Sequence, residues 1–204
     1  MGFLSASSTF TRYRLIEEVP ESLWPEVTER LRKHAFLDID DTADERSFGW
    51  VSIDDMLDTR FEMAPPEKGE YITFALRLDT RRISAAVLKK HVAIAMNQEL
   101  AKARELGRKS VSRERKKEVR EQVQLKLRAR SLPVPAQFDV VWNIRTNMIY
   151  LASTQPKMRS LFEDMFTLTF DLHLEPLTPY YRAVELLGEE KAAQLDEIEA
   201  GRFA

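Results

Sequence analysis

Residues 84–130 read SAAVLKKHVAIAMNQELAKARELGRKSVSRERKKEVREQVQLKLRAR, and the organisation of the chain follows from them. From Ser84 to about Leu106 the pattern predicts a helix of 23 residues, roughly 35 Å long at 1.5 Å per residue. Its first half is apolar on two sides, with Ile83, Val87 and Ile94 on one and Leu88, Val92, Ala95 and Met96 on the other, which predicts cover on both. The second half keeps a narrow apolar line, Leu100, Ala103 and Leu106, as expected of a helix projecting from a body. Gly107 suits the C′ position, and Ser110 or Ser112 can cap a second helix running to about Arg130. Pro133 and Pro135 forbid its continuation, so residues 84–131 form an αα-hairpin.

The flanks have a different period. Upstream, Phe10 to Leu15, Phe48 to Ile53 and Tyr71 to Leu78 read as strands. A helix opened by Pro20-Glu21-Ser22 runs to about His34, with Leu23, Val27, Leu31 and Ala35 on one face. Downstream, Phe138, Val140, Trp142 and Ile144 alternate with other side chains, Thr146-Asn147 marks a turn, and Met148 to Leu151 returns as the second strand of a hairpin. Pro156 opens a helix carrying Met158, Leu161, Phe162, Met165 and Phe166. Leu172 to Leu177 can return as a strand, followed by short helices over Tyr180 to Leu187 and Glu189 to Ile198. The expected class is α+β: an antiparallel sheet with packed helices and a long basic helical hairpin inserted in mid-chain, all in one domain spanning residues 1–204.

Composition narrows the function. With 204 residues, 44% of them hydrophobic and 31% charged, the chain can bury a sizeable core without disulfides or structural metals. The absence of Cys removes disulfides, thiolate metal sites and thiol nucleophiles. No apolar run approaches the roughly 20 residues that span a bilayer. Met1 to Phe10 lacks the basic and apolar regions of a signal peptide, so a cytoplasmic location is expected. The net charge of −2 conceals a polarised distribution. Residues 81–130 carry 16 Lys and Arg against five Glu and no Asp, a net of +11, which leaves −13 on the other 154 residues. Such a basic stretch on an acidic chain is the electrostatic layout for touching a polyanion through one element.

Several chemistries lack their residues. The six glycines, at positions 2, 49, 69, 107, 188 and 201, assemble neither a Walker-A loop nor a dinucleotide fingerprint. His34, His91 and His173 have no metal-ligand spacing. Asp38, Asp40 and Asp41, with Asp54, Asp55 and Asp58, offer carboxylates for a two-metal nuclease, although acidic loops commonly do no more than face solvent. Glu189-Glu190-Lys191 holds the Glu-x-Lys half of a nuclease motif without a Pro-Asp partner at a convincing distance.

The second long helix is more specific. Arg113, Lys117, Arg120, Gln124 and Arg128 fall on one stripe, and Val119, Val123 and Leu127 on another. The basic stripe is about 22 Å long and passes on the order of a dozen phosphates of a duplex. Lys89, Lys90, Arg108, Lys109, Lys126 and Arg130 extend the positive region. No base-reading helix of a known motif is present, so contacts are expected to the backbone of duplex DNA and not to its sequence. A solvated helix face is the competing account of the same stripe.

Phe10-Thr11-Arg12-Tyr13-Arg14-Leu15, Ser47-Phe48-Gly49-Trp50-Val51, Arg82-Ile83-Ser84-Ala85-Ala86-Val87-Leu88-Lys89, Lys116-Lys117-Glu118-Val119 and Val141-Trp142-Asn143-Ile144 occur in a telling order and spacing. Over nearly the whole chain they resemble the bacterial recombination-associated RdgC family. The resemblance implies a nucleoid-associated protein that binds DNA without sequence preference and modulates RecA-dependent recombination and replication restart. It also implies a homodimeric ring that can encircle a duplex with a basic inner surface. Family members are usually longer at the C-terminus. Where they typically carry Leu-Pro-Arg-Ala-Phe after the second helix, this chain has Lys126-Leu127-Arg128-Ala129-Arg130, so Arg130 replaces the aromatic residue. The resulting expectation is a non-catalytic, cofactor-free DNA-binding homodimer. The alternatives are a metal-dependent nuclease using the cluster near Asp38, and a module whose hairpin binds an acidic protein.

Overall fold

The computed structural model describes residues 2–3, 5, 7–42, 44–107, 109–188, 191–197 and 201. The strands are β1 (Thr11–Leu15), β2 (Arg46–Val51), β3 (Glu67–Lys68), β4 (Tyr71–Thr80), β5 (Val134–Asn143), β6 (Met148–Leu151) and β7 (Leu174–Pro176). The helices are α1 (Val27–Lys33), α2 (Ala85–Glu105), α3 (Arg113–Arg128), α4 (Pro156–Phe170), α5 (Pro179–Leu187) and α6 (Ala192–Asp196). The strands form one antiparallel sheet in the order β2-β4-β5-β6-β1-β7, with β3 beside β4. The fold is α+β with the helical hairpin in mid-chain, as the alternation of periods predicts.

The chain divides into two compact units: Met1–Ala35, Trp50–Leu76 and Gln137–Ala204 in the first, Phe36–Gly49 and Arg77–Ala136 in the second. In the first unit, strand register builds the core. Tyr13 pairs with Ile149, which pairs with Trp142, so three side chains with no exposed surface stand in one row across β1, β6 and β5. A shift of one residue would turn that row to the other face. The α4 positions Met158, Phe162, Met165, Phe166, Thr169 and Phe170 recur at helical spacing and are all buried. The rings of Trp142, Phe166 and Phe170 meet at 4.8–5.5 Å, and Trp50 meets Phe74 edge-on at 5.0 Å. The Trp50 indole N–H donates to Thr169 Oγ1 at 2.7 Å, which satisfies the polar atom that burial would otherwise penalise.

Two expectations change. The single helix from Pro20 to His34 is a 3-10 helix over Glu21–Glu26 followed by α1. Pro25 has no N–H to reach the Glu21 carbonyl, as an α-helix starting there would require. Second, the first half of α2 is not sandwiched within the chain. Leu88, Val92, Ala95 and Met96 are half-buried, whereas Val87 and Ile94 remain 43% and 45% exposed, and no residue of α2 is fully buried. The partner helix α3 covers one apolar line, and a second line at this spacing needs a second neighbour. Of the expected last helix, Glu189, Glu190 and Ile198 lie outside the described residues, as does the half-motif Glu189-Glu190-Lys191 in its acidic part.

Candidate nucleic-acid interface

The basic hairpin is held by local caps and a few charged groups turned inward. Ser84 accepts a hydrogen bond from the Val87 N–H and Ser112 one from the Arg115 N–H, which starts both helices where the sequence places their caps. Gly107 takes φ 70°, the left-handed conformation that ends α2. Between the helices Arg115 donates to Glu99 at 2.9 Å and, within α3, to Glu118 at 3.0 Å. The hydrogen bond from Arg115 holds the Glu99 carboxyl below its ordinary range, and the Glu99 and Glu118 carboxylates raise the Arg115 guanidinium in turn. Val119 is the buried apolar residue of α3.

At the hairpin's root, Arg81 acts as a clamp. Its guanidinium donates to the carbonyls of Ile39, Asp40 and Arg128, and its backbone N–H donates to the Glu45 carbonyl at 2.8 Å. Arg77 lies on the Phe36 ring, 4.1 Å from its centroid, and forms a buried pair with Asp79 at 2.7 Å. Hydrogen bonding to Asp79 raises the Arg77 guanidinium above its ordinary value. Acidic loop and hairpin root are thereby fastened through the Arg81 contacts to carbonyl groups.

The expected site residues fall into three groups. Lys89, Lys90, Lys109, Arg113, Arg120, Lys126 and Arg130 are exposed and pair with no carboxylate among the described residues. Lys117 is exposed and reaches Glu121 at 3.9 Å, a weak surface pair. Gln124 is half-buried, and Arg128, whose side chain is 19% exposed, is bound to Glu45 at 3.0 Å. Arg108 lies outside the described residues. The open part of the stripe is therefore Arg113, Lys117 and Arg120, with Lys89 and Lys90 on α2. Arg82, which the helix stripes do not include, is exposed and has no carboxylate partner among the described residues, where β4 leads into α2; no sequence period marks it.

The acidic residues hold loops. Asp38 Oδ1 accepts the Asp40 N–H at 2.7 Å, Asp55 accepts the Leu57 N–H, and Asp54 pairs with Lys68. Burial would raise the Asp58 carboxyl, but N–H groups of Met63, Arg60 and Glu62 outweigh it and hold it below its usual range. Among the described residues no three Asp, Glu or His side chains gather as a group able to hold a metal ion. His173 pairs with Glu17, and no described helix is long and apolar enough to cross a membrane.

Fold and site together define an α+β protein whose conspicuous basic element is a helical hairpin with an open, largely unpaired cationic surface. The chain belongs to the RdgC family: a family model described as "RdgC: Putative exonuclease, RdgC" matches residues 9–189. No curated protein matches it.

Proposed function

We propose that this RdgC-family chain binds duplex DNA through its backbone, without sequence preference, and acts as a homodimer at the nucleoid to modulate RecA-dependent recombination and replication. The observation that carries the reading is the set of exposed cations, Arg113 and Arg120 first, that have no carboxylate partner among the described residues, within a segment of net charge +11. Unpaired guanidiniums spaced along a helix suit phosphate oxygens, which repeat along any duplex whatever its sequence. With six or more phosphates neutralised, affinity falls by about 10³ or more between 50 and 200 mM salt. A flat salt response, or more than roughly tenfold discrimination among unrelated duplexes of equal length, counts against backbone contact.

The role proposed is non-catalytic. The family description names an exonuclease, and the direct comparison is labelled duplex incubated with Mg²⁺: intact DNA supports the binding role, and progressive loss of end nucleotides supports the enzyme. If an acidic protein is the true partner of the hairpin, a polyanionic competitor displaces DNA at low concentration while duplexes alone bind weakly.

A further inference from the structure

The root of the hairpin contains a cavity of about 370 Å³ lined by Arg82, Ile83, Ser84, Val87, Leu127, Arg130 and Ser131. Two arginines are among its lining residues, and among the described residues no Asp or Glu is. Neither arginine side chain has a hydrogen bond or ion pair elsewhere among the described residues. This contrasts with Arg77, Arg81, Arg115 and Arg128 of the same unit, each of which is engaged by a carboxylate or by carbonyl groups. Two arginines on one concavity, neither paired with a carboxylate among the described residues, leave a local positive charge without a counter-charge. Ile83, Val87 and Leu127 supply the apolar part of its lining.

We propose that this cavity is a phosphate-binding pocket in which Arg82 and Arg130 grip one and the same phosphate group of nucleic acid. Guanidinium forks donate paired N–H groups to phosphate oxygens, and two forks can share the oxygens of a single phosphate. Ser131 is less available, because its hydroxyl donates to the Leu127 and Arg128 carbonyls, whereas Ser84 accepts from the Val87 N–H and keeps its own O–H to donate. The pocket rests on the DNA-binding reading and deepens it, because it assigns a fixed anchor at the hairpin's root beside the open stripe on α3.

The test has two arms. In the first, inorganic phosphate is titrated into the full chain and the Nε–H resonances of the arginines are followed by NMR. A saturable shift at Arg82 and Arg130, abolished in Arg82→Ala and in Arg130→Ala, is expected; no saturable shift overturns the pocket whether or not the protein binds DNA. In the second, closed-circular duplex is bound by wild type, the two single variants and the double variant across a salt series. Each single change weakens binding, and because one phosphate is shared within a protomer the double variant lowers the salt slope by about 1 per protomer, about 2 for the homodimer. A drop of about 2 per protomer, about 4 for the homodimer, means separate phosphates, and an unchanged slope means that neither arginine touches one; either overturns the shared grip. Arg82→Lys and Arg130→Lys, which keep charge but lose the fork, separate pocket geometry from general charge: they recover part of the loss and keep the fold. Saturable phosphate binding by a protein that holds no DNA leaves the pocket standing and removes the nucleic-acid reading instead.

Discussion

The Arg128 guanidinium forms an ion pair with the Glu45 carboxylate at 3.0 Å, so a cation that lies on the basic stripe of α3 is turned toward the acidic loop of its own unit. The carbonyl of the same residue accepts from Arg81. Arg128 thus has a structural task that Arg113 and Arg120 lack. Replacing Arg128 with Ala is expected to lower stability by about 1 kcal/mol, within the usual range for a partly exposed ion pair together with the packing of its aliphatic stem, and to weaken DNA binding less than Arg120→Ala does. Chemical denaturation and a salt-series binding assay on the two variants measure both effects.

Reversing Lys117 and Arg120 together to Glu removes the centre of the open stripe. All duplexes are expected to bind more weakly by a similar factor, with the salt slope reduced by roughly 1 for each phosphate no longer neutralised. Both side chains are exposed, so the fold survives at a cost on the order of 0.5 kcal/mol per site. A folded double variant with undiminished affinity would show that this face is only solvated.

Acid should loosen the hairpin. The Glu99 carboxyl is held below its ordinary range by Arg115, so its contribution is present above the unfolded-state value, about 4.3, and fades as pH falls through the lower folded value. Helix content and the hydrogen-exchange protection of α2 and α3 are expected to fall below about pH 4. In Glu99→Gln this acid step shrinks, because the amide does not titrate.

Thr169→Val keeps the side-chain shape but removes the acceptor of the buried Trp50 indole N–H. An orphaned buried donor costs about 1–3 kcal/mol, so the variant should unfold at lower denaturant while binding DNA normally when folded. Phe166→Ala, which empties a site with no exposed surface between Trp142 and Phe170, is expected to cost more, about 3–5 kcal/mol.

Much of the architecture was legible in local pattern. Ser84, Gly107, Ser112 and Pro133 bound the two long helices, and the alternation through Trp142 with the return at Ile149 announced a hairpin, because caps, turns and period depend on residues a few positions apart. Pro25 shows where that reading overshot: the apolar face of Leu23, Val27 and Leu31 is real, but a missing N–H starts the α-helix later. The basic character of residues 81–130 was equally plain from composition. Which of those cations are open to a ligand was not. Arg115 meets Glu99 across the hairpin, Arg128 meets Glu45, and Arg81 is taken up by three carbonyls, whereas Arg82 and Arg130 line one cavity with no carboxylate partner among the described residues. These pairings join segments distant in the chain, and a charge is neutralised or left free by what the fold brings within a few ångströms of it, a quantity that periodicity does not encode.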